Sequence, residues 1–324
     1  MFFSSKHFEF SDIPDLSGKV AIITGSNTGI GKICATEMAR KNCQVIVASR
    51  SEDKGQAAVA EIKSITGNDN VEFIKLDLLS LKSVKQFAEE FKSKYDKLHI
   101  LLNNAGVMMC PYGLSEDGMQ MKFTIYRLRI ETQFATNHVA HYYLTMLLLP
   151  TLIDSKPSRI VNVSSDGHNY TCISEPNLDK INAKEGYGSF KQYSYTKAFN
   201  ILVCVELTKR LKAKGIENVY VNANHPGLVK TELARHISLF ESFYVRFVLN
   251  NIAMEPEQGA LTQMYLATSQ EVESKNIKGQ YYVPYAKPSS AVAYARSEKN
   301  AAALYDFTEE LLKEKVPDYQ GAPI

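Results

Sequence analysis

The feature that most constrains the fold is a repeated alternation between short apolar segments and longer amphipathic ones. The first apolar segment, "KVAIIT" at 19–24, is rich in β-branched residues and is typical of a buried strand. Further strands are predicted at 44–49, 71–77, 98–104, 159–165, from 219, and within "GQYYVPY" at 279–285. Helices are predicted between them at about 30–41, 51–67, 80–95, 131–149 and 189–213. Such βα units predict an α/β fold, a single Rossmann-type doubly wound parallel sheet with helices on both faces.

Length and charge narrow the class of protein further. The chain has 324 residues, and 45% of them are hydrophobic, which is enough for a sizeable core. We predict one domain over 1–324, because α/β domains of this length often remain single. The 37 Lys and Arg against 35 Asp and Glu give a formal net charge of +2. This balance predicts no nucleic-acid partner, which would need a concentrated basic stripe.

Cysteine usage and hydropathy bear on the cellular compartment. The five cysteines are scattered without a Cys-x-x-Cys pair, which favours free thiols in a reducing compartment. The N-terminus lacks the pattern of a signal peptide, and the most apolar stretch, 142–153, is too short to span a bilayer. We therefore expect a cytoplasmic protein without a transmembrane segment. No His, Cys and Glu cluster has metal-ligand spacing, so no metal is expected.

A glycine-rich segment, "TGSNTGIG" at 24–31, follows the first strand and begins a helix. Glycines there permit a tight turn and close backbone approach, and a helix N-terminus attracts a pyrophosphate. The spacing differs from the commonest dinucleotide fingerprint, and a glycine-rich turn can serve packing alone. Its place in a βαβ unit favours the phosphate site. The residues predicted to contact a dinucleotide here are Gly25, Ser26, Asn27, Thr28, Gly29, Ile30 and Gly31.

The end of the second strand bears on the choice between NAD and NADP. An acidic residue there binds the ribose 2′-hydroxyl of NAD, whereas an arginine accommodates the 2′-phosphate of NADP. Here the strand ends with Ser49 and Arg50, while Glu52 and Asp53 are better explained as first-turn helix acids. This predicts NADP(H) as cofactor and makes NAD(H) the less favoured one. The alternative is that Arg50 is a solvated loop residue.

Two tyrosines precede a lysine in "YSYTK" at 193–197. On a helix, residues four apart share a face, so Tyr193 lies beside Lys197 while Tyr195 points to nearly the opposite side. A neighbouring ammonium lowers the pKa of a phenol, so Tyr193 could exchange a proton near neutral pH. Taken alone, Tyr-x-x-x-Lys is a weak signal, and a packed tyrosine followed by a solvated lysine explains it more often.

Taken together, the motifs resemble those of the short-chain dehydrogenase/reductase family, in its retinol-dehydrogenase-like branch. The resemblance covers about residues 16–285, most of the chain. The motifs that carry it are "TGSNTGIG", "LDL" at 76–78, "NNAG" at 103–106, "NH" at 137–138, "VNVSS" at 161–165, "YSYTK", and "HPGLVKT" at 225–231. These motifs occur together and in the order typical of the family, so the resemblance is specific. It favours a functional role for Tyr193 and Lys197 over the packed tyrosine and solvated lysine considered above.

The resemblance implies an oxidoreductase with a Ser-Tyr-Lys-Asn catalytic set. Tyr193 is then the acid/base, and Lys197 lowers its pKa and bonds the nicotinamide ribose. A serine of "VNVSS" orients the substrate oxygen; the resemblance favours Ser165 over Ser164, whereas strand alternation alone leaves both open. Asn137 holds the water through which Lys197 reaches solvent. Further cofactor contacts implied in this way are Asp77, Leu78, Asn104, Ala105, Gly106, Pro226, Gly227, Val229 and Thr231.

Three segments differ in character from this core. Residues 228–255 are apolar and aromatic, which suits a lipophilic alcohol, aldehyde or ketone as substrate. The same pattern is equally compatible with a buried helix pair, or with contact to a membrane surface or to a second subunit in a homo-oligomer. Residues 119–129 form an apparent insertion of eleven residues, either a genuine loop near the substrate or a translated unspliced segment. Residues 286–324 are a C-terminal extension.

Two readings from other functional classes compete with the enzyme. A non-catalytic dinucleotide-binding module could act as a redox sensor or an interaction protein on the same fold. A nucleotide-binding methyltransferase also uses a glycine-rich first turn, but it gives no reason for Tyr193 and Lys197. The full set of Asn137, Ser165, Tyr193 and Lys197 favours the oxidoreductase.

Overall fold

A computed structural model of the chain describes residues 7–115, 129–230 and 253–324. Thr231, most of the segment 228–255 and all but the last residue of the predicted insertion 119–129 lie outside these ranges. Among the described residues, no helix combines the length and apolar character needed to cross a bilayer.

The described residues form strands and helices that alternate along the chain. The strands are β1 (Val20–Thr24), β2 (Gln44–Ser49), β3 (Val71–Lys75), β4 (Ile100–Asn103), β5 (Ser158–Val163), β6 (Val219–Asn224), β7 (Tyr281–Val283) and β8 (Lys287–Ser289). The α-helices are α1 (Gly29–Arg40), α2 (Glu52–Thr66), α3 (Leu81–Lys94), α4 (Thr132–Phe134), α5 (Ala140–Asp154), α6 (Ser189–Ala213), α7 (Pro256–Thr268), α8 (Glu271–Ser274) and α9 (Glu298–Lys315). A π-helical stretch, Ala135–Val139, joins α4 to α5.

These strands form one sheet in the order β3-β2-β1-β4-β5-β6-β7-β8. Strands β1 to β7 are parallel, and only β8 runs antiparallel to its neighbour β7. The predicted Rossmann-type doubly wound sheet is therefore confirmed. The chain leaves β1 toward β2 and β3 on one side and continues from β4 on the other, so a topological switch point lies between the carboxyl ends of β1 and β4. Ligands bind at such points in open α/β sheets.

Side chains of each strand alternate between two hydrophobic clusters, one on each face of the sheet. Ile22 of β1 packs in the cluster that contains residues of α3, α5, α6 and α9. Its neighbours Ala21 and Ile23 pack in the other cluster, with α1, α2 and α7. This period of two, with both faces apolar, explains why the strand segments read as continuous hydrophobic runs.

Some elements differ from the predicted ones. The helix predicted from 131 to 149 begins instead as a short α4, passes through the π-helical stretch and ends at Asp154. Strand β8 was not predicted, because its exposed residues carry no apolar pattern. The C-terminal extension is not separate from the core, since Leu304 and Leu312 of α9 belong to the cluster that also contains α5 and α6.

The chain on both sides of the predicted insertion is fixed in place. Leu114 forms an antiparallel bridge with Glu131. The Ser115 N–H donates to the carbonyl of Ile130 at 2.7 Å. The described residues that flank 116–128 therefore lie side by side, and the insertion itself stays a prediction.

Candidate active site

The glycine-rich segment forms a turn between β1 and α1 that leaves no room for a side chain at two of its glycines, Gly25 and Gly31. Gly25 has φ of +69°, a conformation that favours glycine. A Cβ atom on Gly31 would lie 2.6 Å from the Gly25 carbonyl oxygen and 2.5 Å from the side-chain nitrogen of Asn104. The start of α1 thus packs directly on the turn and presents its first backbone N–H groups to the cleft, as a phosphate site requires.

Among the residues of this segment that were predicted to contact the cofactor, Ser26 alone does not line the cleft. Its side chain is fully buried and its hydroxyl donates to the Ile23 carbonyl at 2.6 Å. The same hydroxyl accepts the Ala48 N–H at 3.2 Å. Ser26 was predicted to contact the cofactor, but the structure instead places it inside the turn, where it ties β1 to β2.

A cleft of about 560 Å³ opens at the carboxyl ends of the strands, over the switch point. Sequence-predicted residues that line it are Gly25, Asn27, Thr28, Gly29, Ile30, Gly31, Ser49, Arg50, Asp77, Leu78, Asn104, Ala105, Gly106, Ser165, Tyr193, Lys197, Pro226, Gly227 and Val229. Asn137 lies behind this surface and Ser26 beneath the turn, while Thr231 lies outside the described residues. The cleft thus collects positions that span some two hundred residues of sequence at one sheet edge.

One end of the cleft is lined by the start of α2. Arg50 is exposed and lies just before Ser51, the N-cap of α2, whose hydroxyl accepts the Lys54 N–H. Lys54 lines the cleft as well. The sequence analysis did not predict a role for Lys54. Its position four residues after Arg50, in the first turn of a predicted helix, would have indicated a second cation near the phosphate site. Two cations at this end provide positive charge where a phosphate could bind.

The loop after β3 forms the wall next to these cations. Asp77 is held by its backbone, because its N–H donates to the Ser83 hydroxyl at 2.9 Å. Its carboxylate accepts the Leu79 N–H at 3.0 Å. Leu78 is buried and belongs to the hydrophobic cluster on the α3 side. Both predicted residues are thus fixed at the cleft surface.

The loop after β4 is tied to β1 through Thr24. The Thr24 hydroxyl oxygen accepts the backbone N–H groups of Asn104 and Ala105, each at 3.0 Å. The Asn104 side chain donates to the Thr24 carbonyl at 2.9 Å and accepts from Gln263 of α7 at 3.2 Å. The glycine-rich turn and the "NNAG" loop are therefore joined by hydrogen bonds, and together they form the bottom of the cleft.

The other end of the cleft contains Tyr193 and Lys197 of α6, which lie on one face of the helix as predicted. Each side chain is only 3% exposed, and the Lys197 Nζ lies 5.6 Å from the centroid of the Tyr193 ring. Lys197 donates to the Val163 carbonyl at 3.0 Å. Tyr195 points away, and its hydroxyl is 2.7 Å from that of Ser174. The structure thus confirms that Tyr193, and not Tyr195, shares a helical face with Lys197.

Burial has a larger effect on the pKa of Tyr193 than the neighbouring lysine has. Loss of solvent raises the pKa of Tyr193 to about 12, while its hydrogen bond with Ser165 acts in the opposite direction. Burial lowers the pKa of Lys197 to about 8. The pKa of Tyr193 therefore moves opposite to the direction predicted from Lys197, because desolvation penalises the phenolate. In this state Tyr193 is protonated at neutral pH.

The two serines after β5 have different partners. Ser164 is buried, and its hydroxyl donates to the Lys197 carbonyl at 2.7 Å, which fixes α6 against the strand. Ser165 lies beside the Tyr193 ring, and its hydroxyl accepts the Gly167 N–H at 3.1 Å. The role assigned to Ser165 stays a prediction, but the structure places its hydroxyl beside Tyr193.

Asn137 lies in the π-helical stretch directly behind the cleft and is fully buried. Its amide accepts the Val107 N–H at 2.8 Å and donates to the Val107 carbonyl at 2.9 Å and to Thr196 at 3.0 Å. A Cβ on Gly106 would lie 3.3 Å from the Asn137 Oδ1 and 3.4 Å from the Lys197 Nζ. The side chains of Asn137 and Lys197 thus converge on one backbone position of the "NNAG" loop.

The segment after β6 covers the cleft from above. Gly227 has φ of +91° and donates its N–H to the His225 Nδ1 at 3.0 Å. Val229 pairs with Met254 in a parallel bridge, and it is packed against Gly259 at the start of α7. Val229 is therefore held by Met254 and by the start of α7, while Gly227 lies against Met254 and Pro284. Among the described residues, no group of His, Cys, Asp and Glu could hold a metal ion.

The fold and this cleft define the class of protein. Residues 19–242 match the family model described as short chain dehydrogenase, and the chain belongs to that family. Members of the family bind a nicotinamide dinucleotide.

Individual relatives place the chain in the retinol-dehydrogenase-like branch. It is 40% identical to retinol dehydrogenase 11 of Mus musculus over 298 residues, which cover 92% of this chain and 87% of that protein. It is 37% identical to an uncharacterized oxidoreductase of Schizosaccharomyces pombe over 315 residues, 94% of this chain and 88% of that one. A crystal structure of an uncharacterized protein from Mycobacterium paratuberculosis is 30% identical with a TM-score of 0.73, covering 95% and 98% of the two chains.

Proposed function

We propose that the protein is an NADP(H)-dependent oxidoreductase that acts on lipophilic alcohols, aldehydes or ketones. The observation that carries this proposal is that one cleft joins Tyr193, Ser165 and Lys197 at one end to Arg50 and Lys54 at the other. The reactive ring and the 2′-phosphate of NADP lie at opposite ends of that molecule, as the two residue groups do in the cleft. Lys54 adds a second cation to the one that the sequence predicted.

The residues between the two ends fit a dinucleotide. The backbone at Gly31 approaches so closely that any side chain would fill the space over the turn. The N-terminus of α1 faces this space, which suits a pyrophosphate. The Gly106 backbone lies beside Asn137 and Lys197, where a side chain would be in tight contact with both.

The chain's own groups can perform the proton part of the reaction. The bound nicotinamide supplies or accepts the hydride. Tyr193, protonated because burial raises its pKa to about 12, donates its hydroxyl proton to a carbonyl oxygen in the reductive direction. Ser165 donates a hydrogen bond to the same oxygen and stabilises its developing negative charge. Lys197 holds a positive charge behind the tyrosine and reaches the ribose side of the cleft.

The apolar lining of the cleft supports a lipophilic substrate. Val107, Met108 and Leu228 are among the residues that line it. The side chain of Leu228 is 48% exposed, so it is accessible to a substrate that enters the cleft. Such side chains favour binding of a hydrocarbon over that of a charged metabolite.

The test is consumption of NADPH by the purified protein with a panel of lipophilic aldehydes, ketones and retinoids, with NADH in parallel. We expect turnover of at least one carbonyl compound, with NADPH preferred over NADH. Tyr193→Phe serves as the control, since it keeps the ring but loses the proton donor. Binding of NADPH without turnover of any compound would instead favour the non-catalytic module. Equal use of NADH would contradict the proposed cofactor preference.

A further inference from the structure

His141 of α5 lies between the two halves of the site and has no role in the proposed reaction. Its side chain is 4% exposed, and one ring nitrogen, Nε2, lies 2.9 Å from the Thr24 hydroxyl. The other, Nδ1, lies 3.3 Å from the backbone carbonyl of Asn137. Burial lowers the pKa of His141 to about 4, and the nearby charge of Lys197 acts in the same direction, so the ring is neutral at physiological pH. A neutral histidine has one donor and one acceptor nitrogen.

The contacts of Thr24 determine which nitrogen carries the proton. The Thr24 hydroxyl oxygen already accepts two backbone N–H groups, those of Asn104 and Ala105. Its single proton must therefore be donated elsewhere, and the His141 Nε2 is within reach. Nε2 is then the bare nitrogen, and Nδ1 carries the proton and donates it to the Asn137 carbonyl. The result is one chain of hydrogen bonds. The "NNAG" loop donates to Thr24, Thr24 donates to His141, and His141 donates to the Asn137 carbonyl.

We propose that His141 is a positioning residue, which orients the Thr24 hydroxyl under the cofactor-binding loop and holds the backbone of Asn137, whose side chain converges with Lys197 on Gly106. This inference rests on the proposed function, because the loop and Asn137 act through the bound dinucleotide. The two ends of the ring serve different parts of the site. Loss of the Nε2 contact should loosen the floor formed by Asn104 and Ala105, whereas loss of the Nδ1 contact should disturb the π-helical stretch.

Two substitutions of His141 test the Nε2 contact and the Nδ1 contact separately. The amide oxygen of His141→Gln can reach the position of Nε2 and accept from Thr24, but it leaves the Asn137 carbonyl without its donor. The shorter side chain of His141→Asn can donate to Asn137 but cannot reach Thr24. We expect His141→Gln to bind NADPH within about twofold of the wild type and to lose turnover. We expect His141→Asn to bind NADPH roughly 5- to 150-fold more weakly, the equivalent of one lost buried hydrogen bond.

His138 provides a matched control on the same helical segment. It is buried to a similar degree, but its Nε2 lies 2.9 Å from the hydroxyl of Thr308 in α9, away from the cofactor loop. His138→Asn, whose shorter side chain cannot reach Thr308 just as His141→Asn cannot reach Thr24, should lower the melting temperature without changing the dissociation constant for NADPH by more than about twofold. An equal loss of affinity in the His138 and His141 variants would mean that general destabilisation explains both, and the inference would be overturned.

A measurement on the unmodified protein decides the hydrogen-bond chain directly. The ¹⁵N chemical shifts of the His141 ring distinguish a protonated nitrogen from a bare one, and they need neither cofactor nor variant. We expect a protonated Nδ1 and a bare Nε2; the reverse tautomer overturns the inference even if every variant fails to fold. Wild-type protein that does not bind NADPH would refute the proposed function. Wild-type protein that binds NADPH, with both His141 variants unaffected, would refute this inference alone.

Discussion

Replacing Lys197 with methionine should stabilise the folded protein while it abolishes turnover. The ammonium is 3% exposed, and burial lowers its pKa from 10.5 to about 8. At neutral pH this difference corresponds to a cost of about 3 kcal/mol for holding the charged form in the folded state. Methionine has a similar length without the charge, so the variant avoids this cost.

A lost hydrogen bond offsets part of the gain. Lys197 donates to the Val163 carbonyl at 3.0 Å, a contact worth about 1 kcal/mol. That carbonyl keeps a second donor, the Asn200 side chain, also at 3.0 Å. The net stabilisation is therefore about 2 kcal/mol, which for a chain of this length raises the melting temperature by about 3 °C.

The pH dependence gives the prediction a sharper form. The folded-state pKa of Lys197 lies below its unfolded value, so the wild type gains stability relative to the variant as pH rises from about 8 toward 10.5. The advantage of Lys197→Met should thus be largest below pH 8 and shrink above it. Urea unfolding of both proteins without cofactor, at several pH values, measures this directly. A variant less stable than the wild type at pH 7, or an advantage independent of pH, would refute the reasoning.

Three further predictions concern other parts of the molecule. Tyr193→Phe should fold, bind NADPH and lose ~10²–10⁴-fold in single-turnover hydride transfer, while Tyr195→Phe stays within a few-fold, because its hydroxyl bonds outside the cleft; the opposite pattern would mean that the wrong tyrosine was chosen. Arg50→Asp should weaken NADPH binding by about 10- to 100-fold and erase or reverse the preference over NADH, measured by titration of both cofactors; an unchanged preference counts against a phosphate contact. Deletion of 119–129 should preserve folding and NADPH binding, because the flanking segments pair with each other; an insoluble product in an expression and binding assay would show that the segment is structural.

Local patterns were sufficient for the elements whose apolar faces are continuous. β2 and α6 have the predicted bounds, Gln44–Ser49 and Ser189–Ala213, because turn or capping residues flank apolar runs. β8 could not be predicted, since its exposed residues are held by pairing to β7 and not by burial. The π-helical stretch Ala135–Val139 likewise carries no local sequence pattern that separates it from the α-helix around it.

The site shows the same division between local and tertiary causes. The pairing of Tyr193 with Lys197 follows from helical spacing alone, and the structure confirms that they share a face. The direction in which the pKa of Tyr193 shifts does not follow from helical spacing, because it depends on burial, and burial is a property of the whole fold. Ser26 also could not be separated from its neighbours in the glycine-rich segment, since its orientation depends on the contact between β1 and β2.

The contacts of α9 have a consequence for how the protein is made. His138 is hydrogen-bonded to Thr308, and the Tyr142 hydroxyl donates to the Glu309 carboxylate at 2.8 Å. The π-helical stretch and the start of α5 therefore have polar partners in the last thirty residues of the sequence. A nascent chain on the ribosome can form β1 to β6 long before those residues leave the exit tunnel. Until then His138 and Tyr142 lack their partners from α9, and the surface of α5 and α6 that α9 covers stays in contact with water. A premature stop codon or proteolytic cut before α9 should therefore yield a product that collapses and retains much of its sheet but exposes the apolar surface that α9 covers.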